Sequence, residues 1–387
     1  MTSRAMTPRQ RLLAAMRCEV PDRVPIQVRG VHPTKGDWKP LTDGPPGGKR
    51  DRSYQVLNDV VLEKCDPVHP VGFECGWFGI DRKTLDMRTE RREVDEDWAE
   101  DVVTIETPRG PLTEVRRRSL KGRPGFQTRH PIADEDDLER FLSIPVVPPR
   151  PDVSVFFDAA KQVGKRALEI AGIDSNPIGM AHGLLGSETL AVWSLTNRDA
   201  LKNLLVELRS RWQTFVRSLL DAGVGPVFAT AGHEQAVPPL LAPEDFHELV
   251  VEIDKPVMQM IRERGNLIHV HCHYNIGKIL DGFIELGINC LHPVESPPMG
   301  DIELAEAKRR LRGKICIEGN IQIDLIQRGT PGEVREATRK IIEDAAEGGG
   351  LILCPTASPY WPKLSSRIRD NYLAFIDAGL EFGRYCT

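Results

Sequence analysis

A parallel α/β barrel of eight strand–helix units, the (β/α)8 architecture, is the fold class this sequence predicts, on three observations. Apolar strand-like runs alternate with longer helical stretches about eight times, the repeat number of such a barrel. The runs are apolar nearly throughout, as in sheets covered on both faces by helices. No G-x-G-x-x-G follows the first run, although a doubly wound nucleotide-binding sheet usually shows one there.

The elements follow in order. Strands are expected at 23–28, 67–72, 177–182, 225–230, 267–273, 288–295, 314–318 and 350–354, and helices with 3.6-type spacing at 199–222, 243–264, 276–286, 302–311 and 331–347. Asp301 and Thr330 read as N-caps, the latter followed by Pro331 at the first helical position. Gly265, Gly287 and Gly313 stand where C-terminal turns need positive φ. The stretch 44–49, G-P-P-G-G-K, is one residue short of a phosphate loop and lacks its Ser/Thr, so it reads as a Pro/Gly loop. From about 75 to 150 the rhythm breaks. Residues 102–107 and 112–118 flank Pro108-Arg109-Gly110-Pro111 as a β-hairpin, 134–142 reads as a short acidic helix, and the proline-rich 145–151 leads back. An insertion after the second strand leaves the barrel on the side of the strand C-termini, where barrels keep their active sites. It reads as a lid, a docking element or a decoration. The whole of 1–387 is expected to form one barrel carrying this insertion.

Composition narrows the function classes. With 387 residues, 40% of them hydrophobic, the chain can bury a large core, and a formal charge of -5 offers no basic footprint for nucleic acid. No apolar run approaches the roughly 20 residues of a membrane span, and the amino terminus has no signal-type apolar core, so a cytoplasmic location is expected. Eight cysteines without a C-x-x-C pair suit a reducing compartment.

The chemistry concentrates in I-H-V-H-C-H-Y-N at 268–275, where His269, His271 and His273 alternate at the end of a strand. Alternation turns the three imidazoles to one face and Cys272 to the other. A second apolar strand ends in Cys354. In a parallel barrel all strand C-termini share one rim, so His271, His273 and Cys354 can converge there, and imidazole plus thiolate is a donor set for zinc. His269 lies deeper and reads as a packed core residue. Glu234, in G-H-E-Q after the fourth strand, is a fourth ligand, a substrate contact or a solvated loop acid. Glu295 and Asn320 end strands of their own. His182 and His233 belong to the same rim as pocket residues, while Tyr274 and Asn275 follow the proposed ligands as pocket wall.

With these residues in place, the chain resembles the uroporphyrinogen decarboxylase superfamily, and within it the cobalamin-dependent methyltransferase branch. The likeness runs from M-T-P-R-Q-R-L-L-A-A-M at 6–16 and P-D-R-V-P at 21–25 through P-L-L-A-P-E-D-F at 239–246. It continues in K-I-L-D-G-F-I-E-L-G at 278–287, E-G-N-I at 318–321 and the closing helix 368–379. The decarboxylases proper hold a tetrapyrrole with an arginine-rich glycine segment and an aspartate, without metal; here only Val28-Arg29-Gly30 stands at that place. Methylcobalamin:coenzyme M methyltransferases carry zinc on a His-x-Cys pair and a distant Cys. Registered on 278–287, those positions are His271, His273 and Cys354. Exchanging one thiolate for a neutral imidazole makes the site less negative and a stronger Lewis acid, which suits an ether donor better than a thiol acceptor.

The resemblance therefore implies a zinc-dependent methyltransferase moving a methyl group between a small methoxylated or thiol substrate and a corrinoid. No corrinoid module is evident, so the cofactor is expected on a partner corrinoid protein, with Glu234 and Glu295 as catalytic carboxylates; a homodimer is left open. A metal-free tetrapyrrole decarboxylase, a zinc hydrolase and a non-catalytic metal- or ligand-binding protein of the same fold are the alternatives.

Overall fold

The computed structural model describes residues 5–31, 51–121, 124–359, 361 and 363–385, and the loop at 44–49 lies outside them. Along the chain come β1 (Val68–Gly72) and then four strands of the insertion, β2 (Met87–Glu93), β3 (Trp98–Ile105), β4 (Leu112–Ser119) and β5 (Phe126–Arg129). There follow β6 (Leu168–Ser175), β7 (Val227–Ala231), β8 (Leu267–His271), β9 (Cys290–His292), β10 (Cys316–Ile321) and β11 (Leu351–Pro355). The central sheet has the order β1-β6-β7-β8-β9-β10-β11, and every pairing in it is parallel. The expected first strand contributes a short bridge. Gln27 N donates to Leu353 O at 2.8 Å, Leu353 N to Pro25 O at 2.9 Å, and Asp66 N to Ile26 O at 2.8 Å. Residues 25–27 are thus bonded to β11 on one side and to the chain entering β1 on the other. This curled parallel sheet with its outer helices fits a TIM-like barrel.

One expected element is corrected. Residues 177–182 are helical, at the start of the helix Pro177–Thr196, and the third barrel strand is β6 just ahead of them. Asn176 has extended backbone and its side chain accepts from Gly179 N at 3.1 Å, with Pro177 at the first helical position. Asn-Pro is therefore a helix start, and the apolar run that follows faces the core from a helix. The helix breaks at Gly186, whose φ of 76° only glycine adopts without strain. Thr330 caps the helix Pro331–Ala345 with a capping box, as expected. Asp301 instead accepts from Gly277 N at 2.7 Å, and the helix Leu304–Leu311 is preceded by Glu303.

Two apolar layers result from strand alternation. Outward-facing Ile268, Val270 and Cys272 pack against the helices, so the Cys272 side chain turns away from the barrel interior. Inward-facing Leu168, Ile170, Val227, Leu267, Cys290, Cys316 and Ile352 form a ring that rests on Leu12, Leu13, Ala15 and Met16 of helix α1 (Pro8–Met16). That helix plugs the floor. Arg11 ties it to the wall, bonding Asp22 at 2.6 Å and also Asp66, which is fully buried and shared with Arg23. The interior is thus filled with hydrocarbon below and left free for polar groups above.

The insertion is an antiparallel sheet of order β2-β3-β4-β5, in which the expected hairpin is β3–β4. Val103, Ile105 and Leu112 anchor its inner face in the same core as Leu138 and Phe141 of the helix Glu135–Leu142. Among the described residues no helix is long and apolar enough to cross a membrane.

Candidate active site

Above the apolar ring, the next inward-facing positions are polar. His269 and His271 project from β8, His292 from β9, Glu318 from β10 and Cys354 from β11, joined by Gln27 at the end of the 25–27 bridge and Arg29 just after it. Strand register aligns them, since His271 pairs with His292, and Cys316, two residues below Glu318, with Cys290. They meet a cavity of about 460 Å³ lined on this side by Gln27, Arg29, His269, His271 and Glu318, and on the other by Val68, Pro70, Ile170 and Ala229. Asp174, Ser175 and Thr230 stand at its rim.

The hydrogen bonds fix several protons. His269 Nε2 donates to Glu318 Oε2 at 2.8 Å. Burial pushes the Glu318 carboxyl up, but the His269 ring and Arg29 outweigh it and hold it below the usual carboxylate value. Burial, with Arg29 next, pushes His271 and His292 well below the ordinary imidazole value, so both rings are neutral. His292 Nε2 faces Pro355 O at 3.1 Å, a carbonyl that only accepts, so its proton sits on Nε2 and its Nδ1 is bare. His271 Nδ1 lies 2.8 Å from that bare nitrogen and must bring the proton, which leaves Nε2 of His271 as a lone pair. Arg29 Nη2 is 3.5 Å from the same His271 nitrogen.

His273 repeats the arrangement one layer further out. Its Nδ1 donates to Glu295 Oε2 at 3.0 Å, a carboxylate that also accepts from Tyr274 N at 3.3 Å, and among the described residues its Nε2 is again uncommitted. The rings of His271 and His273 are perpendicular with centroids 4.6 Å apart. Cys354 is fully buried, donates to Gln27 Oε1 at 2.7 Å, and is held well above the ordinary thiol value by burial and by Glu318. Among the described residues, the donor atoms of His292, Glu318 and Cys354 all lie within 4.8 Å of one another, as do those of His269, Cys290 and Glu318.

The other expected site residues scatter. His182, on the helix, contacts Ser187 Oγ at 2.9 Å and stacks edge-on to His130. His233 is fully buried outside the cavity, with Nε2 3.2 Å from Asp254 and its ring near Phe283. Glu234 accepts from Gly232 N at 3.0 Å. Asn320 donates to Val294 O at 2.7 Å, Tyr274 is half exposed, and Asn275 lines a separate depression with Lys278 and Asp301. The residues that sequence reasoning passed over are Gln27, Arg29, His292 and Glu318. Glu318 stands on the same alternation as Asn320, but Gln27, Arg29 and His292 share a face with no expected site residue of their own strands, and only cross-strand register shows that they meet.

A family model described as uroporphyrinogen decarboxylase (URO-D) matches residues 114–358, more than half of the chain. The chain belongs to the uroporphyrinogen decarboxylase family. Among solved structures, this family member is similar to a methyltransferase from Methanosarcina mazei, with TM-score 0.60, 17% identity, 97% of this chain and 99% of that chain covered. Weaker likenesses are dihydropteroate synthase from Anaplasma phagocytophilum (TM-score 0.31, 12% identity, 52% and 71% covered) and mannonate dehydratase from Streptococcus suis serotype2 (TM-score 0.33, 14% identity, 59% and 83% covered). No curated protein matches the chain in sequence.

Proposed function

We propose that this family member is a zinc-dependent methyltransferase, moving a methyl group between a small methoxylated or thiol substrate and the corrinoid of a partner protein. One observation carries the reading. The chain of protons from Pro355 through His292 to His271 leaves His271 with an Nε2 lone pair at the C-terminal end of its strand, and His292, its partner, belongs to the group whose donor atoms approach Cys354. Metal-ligating histidines are held in this way, by a bond from the other ring nitrogen. Glu295 does the same for His273. Two imidazoles so oriented and one thiol suit zinc, and we assign His271, His273 and Cys354 as its holders. A second set, His292, Glu318 and Cys354, is supported by the mutual approach of its donor atoms. Cys354 is common to both.

Zinc bound there supplies a Lewis acid for the heteroatom that carries or receives the methyl group. The chain's own residues do the rest. Val68, Pro70, Ile170 and Ala229 give the substrate an apolar wall that excludes water, and burial, reinforced by Arg29 beside His271, keeps that imidazole from taking up a proton. The dimensions favour a small substrate: about 460 Å³ suits a drug-sized or smaller molecule. A polycarboxylate tetrapyrrole would call for several cations, and among the described residues Arg29 is the arginine that lines the cavity. The overall likeness to the Methanosarcina methyltransferase agrees with the reading.

The test mixes the purified protein with a reduced corrinoid protein and a methoxylated compound and follows conversion of the cobalt(I) spectrum to methylcobalt(III), alongside elemental analysis for about one zinc per chain. Turnover of the methoxylated compound without corrinoid would indicate a zinc hydrolase. Decarboxylation of a tetrapyrrole by metal-free protein would establish the decarboxylase instead.

A further inference from the structure

The insertion builds a second compartment beside the substrate cavity. It has a volume of about 190 Å³ and is lined by Phe78 and Arg82 from the segment after β1, Arg116 from β4, and Met180 of the barrel. Asp174 and Ser175, at the end of β6, line both this compartment and the main cavity, so the two adjoin across one strand end. Asp174 holds an unusual conformation for a non-glycine residue, with φ of 62°, and its carboxylate accepts from Cys75 N at 3.2 Å and from Ser175 N at 2.9 Å. Strain of this kind persists where the surroundings enforce it. Here it pins the first residue of the insertion to the barrel rim, with the aspartate charge directed at backbone donors.

The arginines are the groups left over. Among the described residues the Arg116 side chain pairs with Glu114 of its own strand alone, at 3.1 Å. The Arg82 side chain has no ion pair or hydrogen bond among the described residues, whereas the insertion's Arg88, Arg91, Arg92, Arg109, Arg117 and Arg118 all pair with carboxylates. The compartment has room for about six waters at roughly 30 Å³ each, or for a short acidic tail.

We propose that Arg82 and Arg116 bind the carboxylate tail of the substrate, so that the insertion selects small methyl donors bearing an acid group one strand-width from the methyl. The proposal rests on the methyl-transfer reading for the fate of the methyl, but not for the binding of the tail. Guanidinium matches carboxylate geometry and charge, Phe78 offers apolar surface to the connecting carbons, and the barrel residues hold the reacting end.

The experiment pairs methoxybenzoates and short methoxy acids with the corresponding alcohols as probes, in the corrinoid-coupled assay and in equilibrium dialysis with the zinc-loaded protein. It compares wild type with Arg82→Gln, Arg116→Gln and the double variant. Both side chains are exposed enough for the variants to fold, and circular dichroism checks it. The wild type is expected to prefer acids over alcohols at least tenfold, and each variant to lose about tenfold of that preference, as for a hydrogen bond to a charged group. A wild type that binds no acid better than its alcohol, or variants with unchanged preference, would overturn the proposal. If acids bind by dialysis and the variants lose that binding while no compound methylates cobalt, the tail site stands and the methyl-transfer reading falls.

Discussion

His292 makes no use of the cavity and yet sets the chemistry of His271, because it turns a backbone carbonyl into a choice of tautomer two rings away. Removing it frees His271 to rotate and to exchange its tautomer. His292→Ala is therefore expected to keep the ligands but weaken zinc binding about 10–100-fold, the usual effect of losing such a partner. A zinc titration with a competing chelator measures this. His271→Ala and Cys354→Ala should abolish stoichiometric zinc in the same measurement. Loss in Glu318→Gln together with retention in His273→Ala would move the metal to the deeper donor set. Cys272 is the control at this scale. Its side chain joins Ile268 and Val270 behind the sheet, and burial holds the thiol well above its ordinary value. Cys272→Ser is expected to leave zinc content at the wild-type level, at some cost in stability from a hydroxyl in an apolar layer.

Helix α1 is an element whose position depends on charge as well as on apolar contact. Arg11 is nearly buried and bonds both Asp22 and the fully buried Asp66. Truncating one partner of such a cluster leaves charge behind, so Arg11→Ala is expected to destabilise the fold by about 3 kcal/mol in denaturant titration. The same cluster gives a pH dependence. Burial pushes Asp22 up, but the Arg11 bond and the Met6 amide outweigh it and hold it below the usual carboxylate value. A carboxylate lowered in the folded state adds stability above the ordinary carboxylate range and loses it as pH falls through the depressed value. Arg11→Ala should therefore shallow the loss of stability on acidification below about pH 4. An unchanged acid limb would mean that other carboxylates dominate it.

At the scale of the molecule, the barrel separates stability from function along its axis. Its lower half is closed by α1 and the ring from Leu168 to Ile352, and its upper half carries the histidines, Glu318 and Cys354. A metal that bridges β8 and β11 would join strands that are three places apart in the sheet. Binding that favours the folded state by about 2.7 kcal/mol at 100 times the dissociation constant should raise the melting temperature by several degrees. Calorimetry before and after chelation, with zinc restored, measures the shift. No shift on either step would argue against a metal joining these strands.

The residue pattern alone carried the parallel α/β class, the β3–β4 hairpin, the Thr330 cap and the outward turn of Cys272, because periodicity and capping are local properties of the chain. It misplaced the third strand at 177–182, where an apolar run without charge suits a strand and a buried helix equally, and the Asn176–Pro177 start decides between them. It also could not reveal that His292, Glu318 and Gln27 stand beside the recognised residues. Their meeting depends on the register between strands tens to hundreds of residues apart, on the proton path from Pro355, and on the insertion folding back to set Arg82 and Arg116 beside Asp174. Those are relations between elements, and only the closed packing of the whole chain specifies them.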